Sequence, residues 1–254
     1  CLLKRYANPA SRHPDIMMTV PVGISELERM AYYQLLTEGI RTKRVALIEN
    51  GLADAAGIGM PVLHPMGNMV VNIGAATTDI SVISAGKIIV GKRLDVGGNQ
   101  FDEEIRSIVR RRYGLNIGHK TSEILKNNLA YVLQGVTAQM KIFGIHAVTG
   151  LPAASVVSSE DINEALADAL FELADAVKSI LERTPPQLAA DIHKNGVYLT
   201  GGVSQIPNLD KYISRHLEVT AYQVPEPVFS TVRGLVRIMN DPELRKLSFS
   251  VKDL

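Results

Sequence analysis

One segment of the chain carries most of its structural information: Met69-Val70-Val71-Asn72-Ile73-Gly74-Ala75-Ala76-Thr77-Thr78-Asp79-Ile80-Ser81-Val82-Ile83-Ser84. An apolar run ends in a turn of small residues and resumes with period-two alternation, which predicts a β-hairpin. The turn, from Gly74 to Thr78, presents backbone N–H and hydroxyl groups, and turns of this kind hold phosphate in folds without a P-loop. An ordinary hairpin turn is the alternative, because glycine and threonine are common in turns.

A second strand that ends in glycine lies far downstream, at Val197-Tyr198-Leu199-Thr200-Gly201-Gly202-Val203. Glycine leaves the backbone bare enough to admit a nucleotide, and the N-terminus of a following helix would attract phosphate. A plain strand-to-helix turn is the alternative here. The two strand ends together predict a nucleotide held between two halves of the molecule.

The residues around the hairpin alternate between strand and helix patterns, which predicts an α/β chain. Before the hairpin we predict strand 16–20, a helix from the capping box at Ser25 and Glu28 to residue 38, strand 44–48 and an alanine-rich helix beginning at Leu52. After it we predict strand 87–94, helix 99–113, a helix from Thr121, strands 139–143 and 154–157, helix 159–183 with its cap at 159–161, helix 187–193, strand 197–200, helix 209–216, strand 220–224 and a helix after Pro227.

Helical periodicity identifies the apolar faces of two of these helices. Phe101, Ile105, Ile108 and Val109 share one face of the first, and the second has an apolar stripe of Ile124, Leu125 and Leu129. The acids at 102–104 complement a helix dipole, and the arginines at 110–112 are typical of a solvated helix end.

Composition and charge limit the classes of protein to which the chain can belong. The chain has 254 residues and a net charge of +1, so it is long enough for one large or two modest domains and gives no electrostatic case for nucleic acid. Its single cysteine, Cys1, predicts no disulfide framework and favours a reducing cytoplasm, and the six histidines lack metal-ligand spacing. No apolar run approaches the roughly 20 residues of a membrane span. A start at cysteine rather than methionine predicts that an N-terminal segment is missing.

Six segments, in chain order, resemble the MreB family, the bacterial actins of the rod-shape system; they are 19–24, 45–50, 67–74, 149–152, 182–192 and 199–202. The resemblance covers nearly the whole chain. It implies an actin-like fold, in which two domains built of sheets flanked by helices enclose a nucleotide cleft, and filaments that form head to tail. No segment before Ile16 matches the family's first phosphate loop. We therefore expect a partial first domain in residues 1–70 and a second domain with a helical subdomain in residues 71–254.

The chain departs from the family at charged positions. Asn72 corresponds to a metal-holding aspartate and Asn50 to a water-orienting glutamate, so the resemblance implies no catalytic residue and weak or no ATP hydrolysis. Ala75 and Ala76 replace glycines, which predicts roughly 1 kcal/mol of strain if they adopt a left-handed conformation. The nucleotide-binding positions implied by the resemblance are Gly74, Ala75, Ala76, Thr77, Thr78, Lys126, Asn128, Gly201, Gly202 and Val203, and no metal ligand is assigned.

The sequence thus predicts a cell-shape-determining, actin-like cytoskeletal protein that is a filament subunit or modulator and binds ATP with magnesium weakly. Its implied partners are itself or a related bacterial actin, and the envelope-synthesis machinery, in the cytoplasm beneath the inner membrane. The family's membrane loop would fall at the polar Ser11-Arg12-His13, which does not favour direct membrane contact. One alternative is an active ATPase or small-molecule kinase, for which no catalytic aspartate stands out. Another is an assembly-platform binding module, which would not explain Thr184-Pro185-Pro186.

Overall fold

The computed structural model describes residues 15–40, 42, 44–133 and 137–249, apart from the side chains of residues 39 and 40. Residues 11–13, where the family's membrane loop would fall, lie outside this part of the chain. Within the described ranges no helix is both long and apolar enough to span a membrane.

The strands of the described ranges form three sheets. They are β1 Asp15–Val20, β2 Arg44–Glu49, β3 Asn68–Ile73, β4 Thr78–Ser84, β5 Lys87–Leu94, β6 Leu115–Asn116, β7 Gln139–His146, β8 Pro152–Ser158, β9 Val197–Thr200 and β10 Ala221–Gln223. β1 and β2 pair in parallel, five strands form a mixed sheet in the order β10-β9-β3-β4-β5, and β6, β7 and β8 form an antiparallel sheet.

The α-helices are α1 Glu26–Ile40, α2 Asn50–Gly57, α3 Gly98–Tyr113, α4 His119–Leu129, α5 Ser159–Glu182, α6 Pro186–Asn195, α7 Leu209–Leu217 and α8 Ser230–Asn240. Short 3₁₀ turns occupy Gly202–Gln205, Pro227–Phe229 and Leu244–Leu247. The predicted capping box of α1 is confirmed, because the backbone N–H of Ser25 donates to the Glu28 carboxylate at 2.8 Å and the backbone N–H of Glu28 donates to Oγ of Ser25 at 3.3 Å.

Alternation along β3 divides the core between two faces of the five-stranded sheet. Met69, Val71 and Ile73 belong to a large apolar cluster with α3, α4, α5 and α7, whereas Val70 packs in a second cluster with α2 and α8. Because side chains alternate along a strand, Asn72 shares the face of Val70 and points toward α2 and α8.

Glycine lets α2 and α8 cross in backbone contact. A Cβ at Gly57 would lie 1.9 Å from the carbonyl oxygen of Ser230, and one at Gly234 would lie 1.8 Å from that of Ala53. The crossing fixes both helices against the end of β3, where the polar residues of the candidate site lie.

Most predicted elements are confirmed, with three differences of packing. Ile124 is 42% exposed, so its place in the apolar stripe of α4 is wrong; the buried face is Ser122, Leu125, Lys126 and Leu129. Ser158 rather than Ser159 caps α5, and its hydroxyl accepts from the backbone N–H of Asp161. Of the arginines at the end of α3, Arg112 forms ion pairs with Asp161 and Glu164 on α5.

Candidate nucleotide cleft

The hairpin turn is tied to the start of α3 through its carbonyl groups. The backbone N–H of Gly98 donates to the oxygen of Gly74 at 3.0 Å, and that of Asn99 donates to Ala75 at 2.7 Å. A Cβ at Gly97 would lie 2.8 Å from both turn oxygens, so only glycine permits this approach. In the described part of the chain, the backbone amides of Ala75, Ala76 and Thr77 donate to no other backbone group, which leaves them available to an anion.

The prediction of left-handed strain in this turn is wrong. Neither Ala75 nor Ala76 is among the described residues with positive φ, and both are exposed. The turn closes instead through the N–H of Gly74, which donates to the oxygen of Thr77 at 2.9 Å. Alanine therefore fits this turn without a backbone penalty.

The two threonines of the turn differ in their environment. Thr78 is fully buried and its hydroxyl donates to the oxygen of Val96 at 2.8 Å, so it holds the hairpin together. The hydroxyl of Thr77 accepts from Arg93 at 3.2 Å and retains its own proton for a ligand.

A cleft of about 960 Å³ opens beside the turn. Four of the predicted binding residues line it: Ala75, Lys126, Gly202 and Val203. The side chain of Asn128 lies outside the lining and donates to the oxygen of Ile124 at 2.7 Å, while the neighbouring Glu123 and Asn127 line the cleft. The structure thus brings Ala75 of the hairpin turn, α4 and the Gly202–Gln205 turn around one space. The remaining predicted positions are not part of its lining; they are Gly74, Ala76, Thr77, Thr78 and Gly201.

Lys126 is already paired at the floor of the cleft. Its Nζ lies 2.8 Å from Oδ1 of Asp102 and donates to the oxygen of Gly98 at 3.0 Å, and the two charged side chains are only 9% and 11% exposed. Sequence reasoning gave Asp102 a helix-dipole role and missed this contact. The acid and the lysine lie 24 positions apart, and no local pattern links them.

The two downstream glycines serve different purposes. Gly201 has φ +83° and lies so close to β3 that a Cβ would be 2.4 Å from the oxygen of Ile73 and 2.6 Å from Oδ1 of Asn72. At Gly202 a Cβ would meet only Val228, at 4.0 Å. Gly201 permits close packing, whereas Gly202 leaves the wall of the cleft open.

Asn50, at the start of α2, and Asn72, on β3, each face an acidic side chain. Nδ2 of Asn50 donates to Oδ2 of Asp79 at 2.7 Å, and Nδ2 of Asn72 donates to Oδ2 of Asp54 at 2.6 Å. The hydroxyl of Thr231 on α8 donates to Oδ1 of Asp54 at 2.5 Å. Burial raises the pKa of Asp54 to about 6, although the hydrogen bonds from Thr231 and Asn72 oppose this rise.

The donor set between these acids does not fit the magnesium site that the resemblance implies. A hard cation needs oxygen ligands, but Asn72 and Thr231 donate to the two oxygens of Asp54, and Asn50 donates to Oδ2 of Asp79. Three of the four carboxylate oxygens are therefore already engaged by hydrogen-bond donors. Among the described residues, no group of three or more acidic, histidine or cysteine side chains has an arrangement that would hold a metal ion.

Comparison with known proteins identifies the architecture and its relatives. The family model described as MreB/Mbl protein matches residues 2–246. The cell shape-determining protein Mbl of Bacillus cereus is 38% identical over 222 residues, which make up 87% of this chain and 66% of that protein. The matched part thus spans just under two thirds of this relative's length.

Solved structures confirm the predicted actin-like α/β fold. MreB5 of Spiroplasma citri bound to ADP has a TM-score of 0.86 at 32% identity and covers 92% of this chain and 70% of that chain. The MamK double helical filament has a TM-score of 0.76 at 18% identity, covers 94% and 72%, and bears on the fold alone. With the match across nearly its whole length, the chain belongs to the MreB/Mbl family.

Proposed function

We propose that this chain belongs to a bacterial actin-like protein that determines cell shape, as a filament subunit or a modulator of filaments, on the cytoplasmic side of the envelope. The observation that carries the proposal is the cleft between the hairpin turn and α4, in a chain whose relative is named a cell shape-determining protein. We also propose the division into residues 1–70 and 71–254, and the envelope-synthesis machinery as a partner beneath the inner membrane.

The cleft supports weak binding of ATP with magnesium. Its volume of about 960 Å³ is that of a site for a drug-sized ligand or larger. We place the phosphates against the free amides of Ala75 to Thr77 and the base toward Glu123 and Asn127 on α4. MreB5 binds ADP, which supports the same ligand class here. Affinity is expected to be low because Lys126 is already neutralised by Asp102.

Thermal melts with and without magnesium-ATP test this binding. A ligand that binds only the folded state stabilises by RT ln(1 + [L]/Kd), so a weak site at millimolar ligand should raise Tm by about 1 to 5 °C. Ala75→Asp, which places a negative charge at the phosphates, should abolish the shift. Ala154→Asp, at an exposed position on β8, should retain it. The absence of a shift in the unmodified chain, or its persistence in Ala75→Asp, would refute the site.

Hydrolysis is expected to stay at background because the Asn50 amide is engaged by Asp79 and cannot take a proton from water as a carboxylate can. Phosphate release in a magnesium-ATP assay measures this. Turnover that the Ala75→Asp substitution abolishes would contradict the proposal.

Assembly is expected to use the outer face of the β7–β8 hairpin. Phe143, Ile145 and Val156 are 70%, 54% and 50% exposed, and Phe143 pairs with Ala154 across the strands. A second exposed apolar stripe, formed by Phe229, Val232 and Val236, lies on and before α8. Two different apolar surfaces on one chain suit a head-to-tail contact, which propagates into a filament when it does not close.

Sedimentation tests the assembly role in the longest version of the protein that expresses. Phe143→Glu should reduce the pelleted fraction at least several-fold. Phe171→Glu changes an equally bulky exposed residue on α5 outside the hairpin and should have a smaller effect. An unmodified protein that remains monomeric alone and with a related bacterial actin would overturn the filament proposal.

A further inference from the structure

The buried acids Asp54 and Asp79 lie on opposite sides of the junction between α2 and the five-stranded sheet. Asp54 is fully buried on α2, and Asp79 is 5% exposed on β4. Buried carboxylates require a compensating positive group or hydrogen-bond donors. Arg93 is a cationic neighbour of Asp79, but its Nε lies 4.0 Å from Oδ1, beyond hydrogen-bonding distance.

Two asparagines donate to these acids reciprocally, and the hydroxyl of Thr231 also donates to Asp54. Asn50 on α2 donates to Asp79 on β4, while Asn72 on β3 donates back to Asp54 on α2. The two hydrogen bonds, at 2.7 and 2.6 Å, therefore cross the same junction in opposite directions. The amide orientations follow from the chemistry, because the reverse orientation would bring two oxygen atoms to these distances.

The surrounding backbone holds this arrangement tightly. The start of α2 lies directly on β4, since a Cβ at Gly51 would be 2.1 Å from Oγ of Ser81. On the other side of Asn72, its Oδ1 lies against Gly201, where a Cβ would be 2.6 Å away. The start of α2 and the end of β3 are therefore each closely packed, and Asn50 and Asn72 lie at these two places, both partly buried.

We propose that Asn50 and Asn72 form an amide clamp that takes the place of a divalent cation at this junction, so that α2 stays fixed to the sheet without metal. The proposal does not rest on filament formation or nucleotide binding. Its physical basis is that each amide donates an N–H to one buried carboxylate, which is the compensation that a cation would otherwise provide. Changing an amide to a carboxylate of the same shape would set two acids within 3 Å and create a demand for a cation.

Thermal melts of the single variants Asn50→Asp and Asn72→Asp at pH 8 test the clamp, in EDTA and then in millimolar magnesium chloride, with sodium chloride as the ionic-strength control. The unmodified chain should have the same Tm in both solutions. Each variant should lose about 5 to 15 °C in EDTA and recover much of this loss with magnesium. Asn116→Asp, at an exposed position of β6, should behave as the unmodified chain.

Two further variants separate a cation-like role from simple packing. Asn50→Ala and Asn72→Ala remove the donor without adding charge, so they should be destabilised in both solutions and gain nothing from magnesium. Magnesium stabilisation of the unmodified chain would overturn the proposal, as would aspartate variants that are as stable as the unmodified chain in EDTA. Destabilisation that magnesium does not reverse would show that the amides do not occupy a cation's place. If a variant does not fold in EDTA, refolding on addition of magnesium gives the same test.

Discussion

Replacing Gly201 by alanine should destabilise the chain far more than the same change at the adjacent Gly202. Gly201 has φ 83° and ψ 165°, a region that is essentially restricted to glycine and costs other residues about 1 to 3 kcal/mol. The new methyl group would also lie 2.4 Å from the oxygen of Ile73, and relieving such an overlap costs about 1 to 3 kcal/mol more. The total of about 2 to 6 kcal/mol corresponds to a fall in Tm of about 5 to 20 °C for a chain of this size.

Gly202 provides the matched control because its φ is not positive and a Cβ there meets only Val228 at 4.0 Å. Alanine at such a position changes stability by about 1 kcal/mol or less, mainly through the entropy of the unfolded chain. Circular dichroism melts and urea denaturation of both variants measure the difference. A Gly201→Ala protein that melts within about 2 °C of the unmodified chain would refute the argument. Equal falls in Tm for both variants would show that the added methyl group acts through the cleft and not through the backbone conformation of Gly201.

Two other predictions concern ion pairs. Burial alone would raise the pKa of Asp161, but hydrogen bonds from Ser158, Tyr113 and Arg112 lower that pKa to about 2 from a usual 3.8. The carboxylate therefore stabilises the folded chain above about pH 4, and this stabilisation is lost as the pH falls toward 2. The Tm difference between the unmodified chain and Asp161→Asn should therefore shrink over that interval, and a constant difference would count against this origin. Lys126→Met leaves Asp102 buried without a cation and should lower the free energy of unfolding, measured by urea denaturation, by about 3 to 5 kcal/mol. Adding Asp102→Asn should recover part of this loss. Equal losses in the single and double variants would show that the two residues are not coupled.

Patterns that repeat over several residues predicted the secondary structure well. The alternation in 69–84 determines a hairpin because one face of each strand must be buried, and β3 indeed divides its side chains between two apolar clusters. The predicted stripe on α4 included Ile124, but the structure places Lys126 on the buried face instead. Its charge is paired with Asp102, and it therefore occupies the buried i+4 position between Ser122 and Leu129.

The sequence alone identified only part of the candidate site. The turn at 74–78 and the glycines at 201 and 202 are local signals and were found. Asp54 lies in an alanine-rich helix whose sequence indicates only core packing. Its hydrogen-bond partners, Asn72 on β3 and Thr231 on α8, are 18 and 177 residues away in the chain. No local pattern brings such residues together, because their proximity depends on how α2 and α8 cross over the sheet.

Asn50 and Asn72 also show why a substituted site is not simply a site that has lost function. Compared with the family, each asparagine removes one negative charge, and from sequence alone the change looks like loss of a cation and of a water-orienting group. In the structure each amide has an acid as its partner, so the charge change is matched by a hydrogen bond that an aspartate or glutamate would not donate. Restoring acids at both positions would therefore not simply return activity. It would bring four acidic side chains to one junction, and any hydrolysis that results should require a bound cation before it requires a better-positioned water.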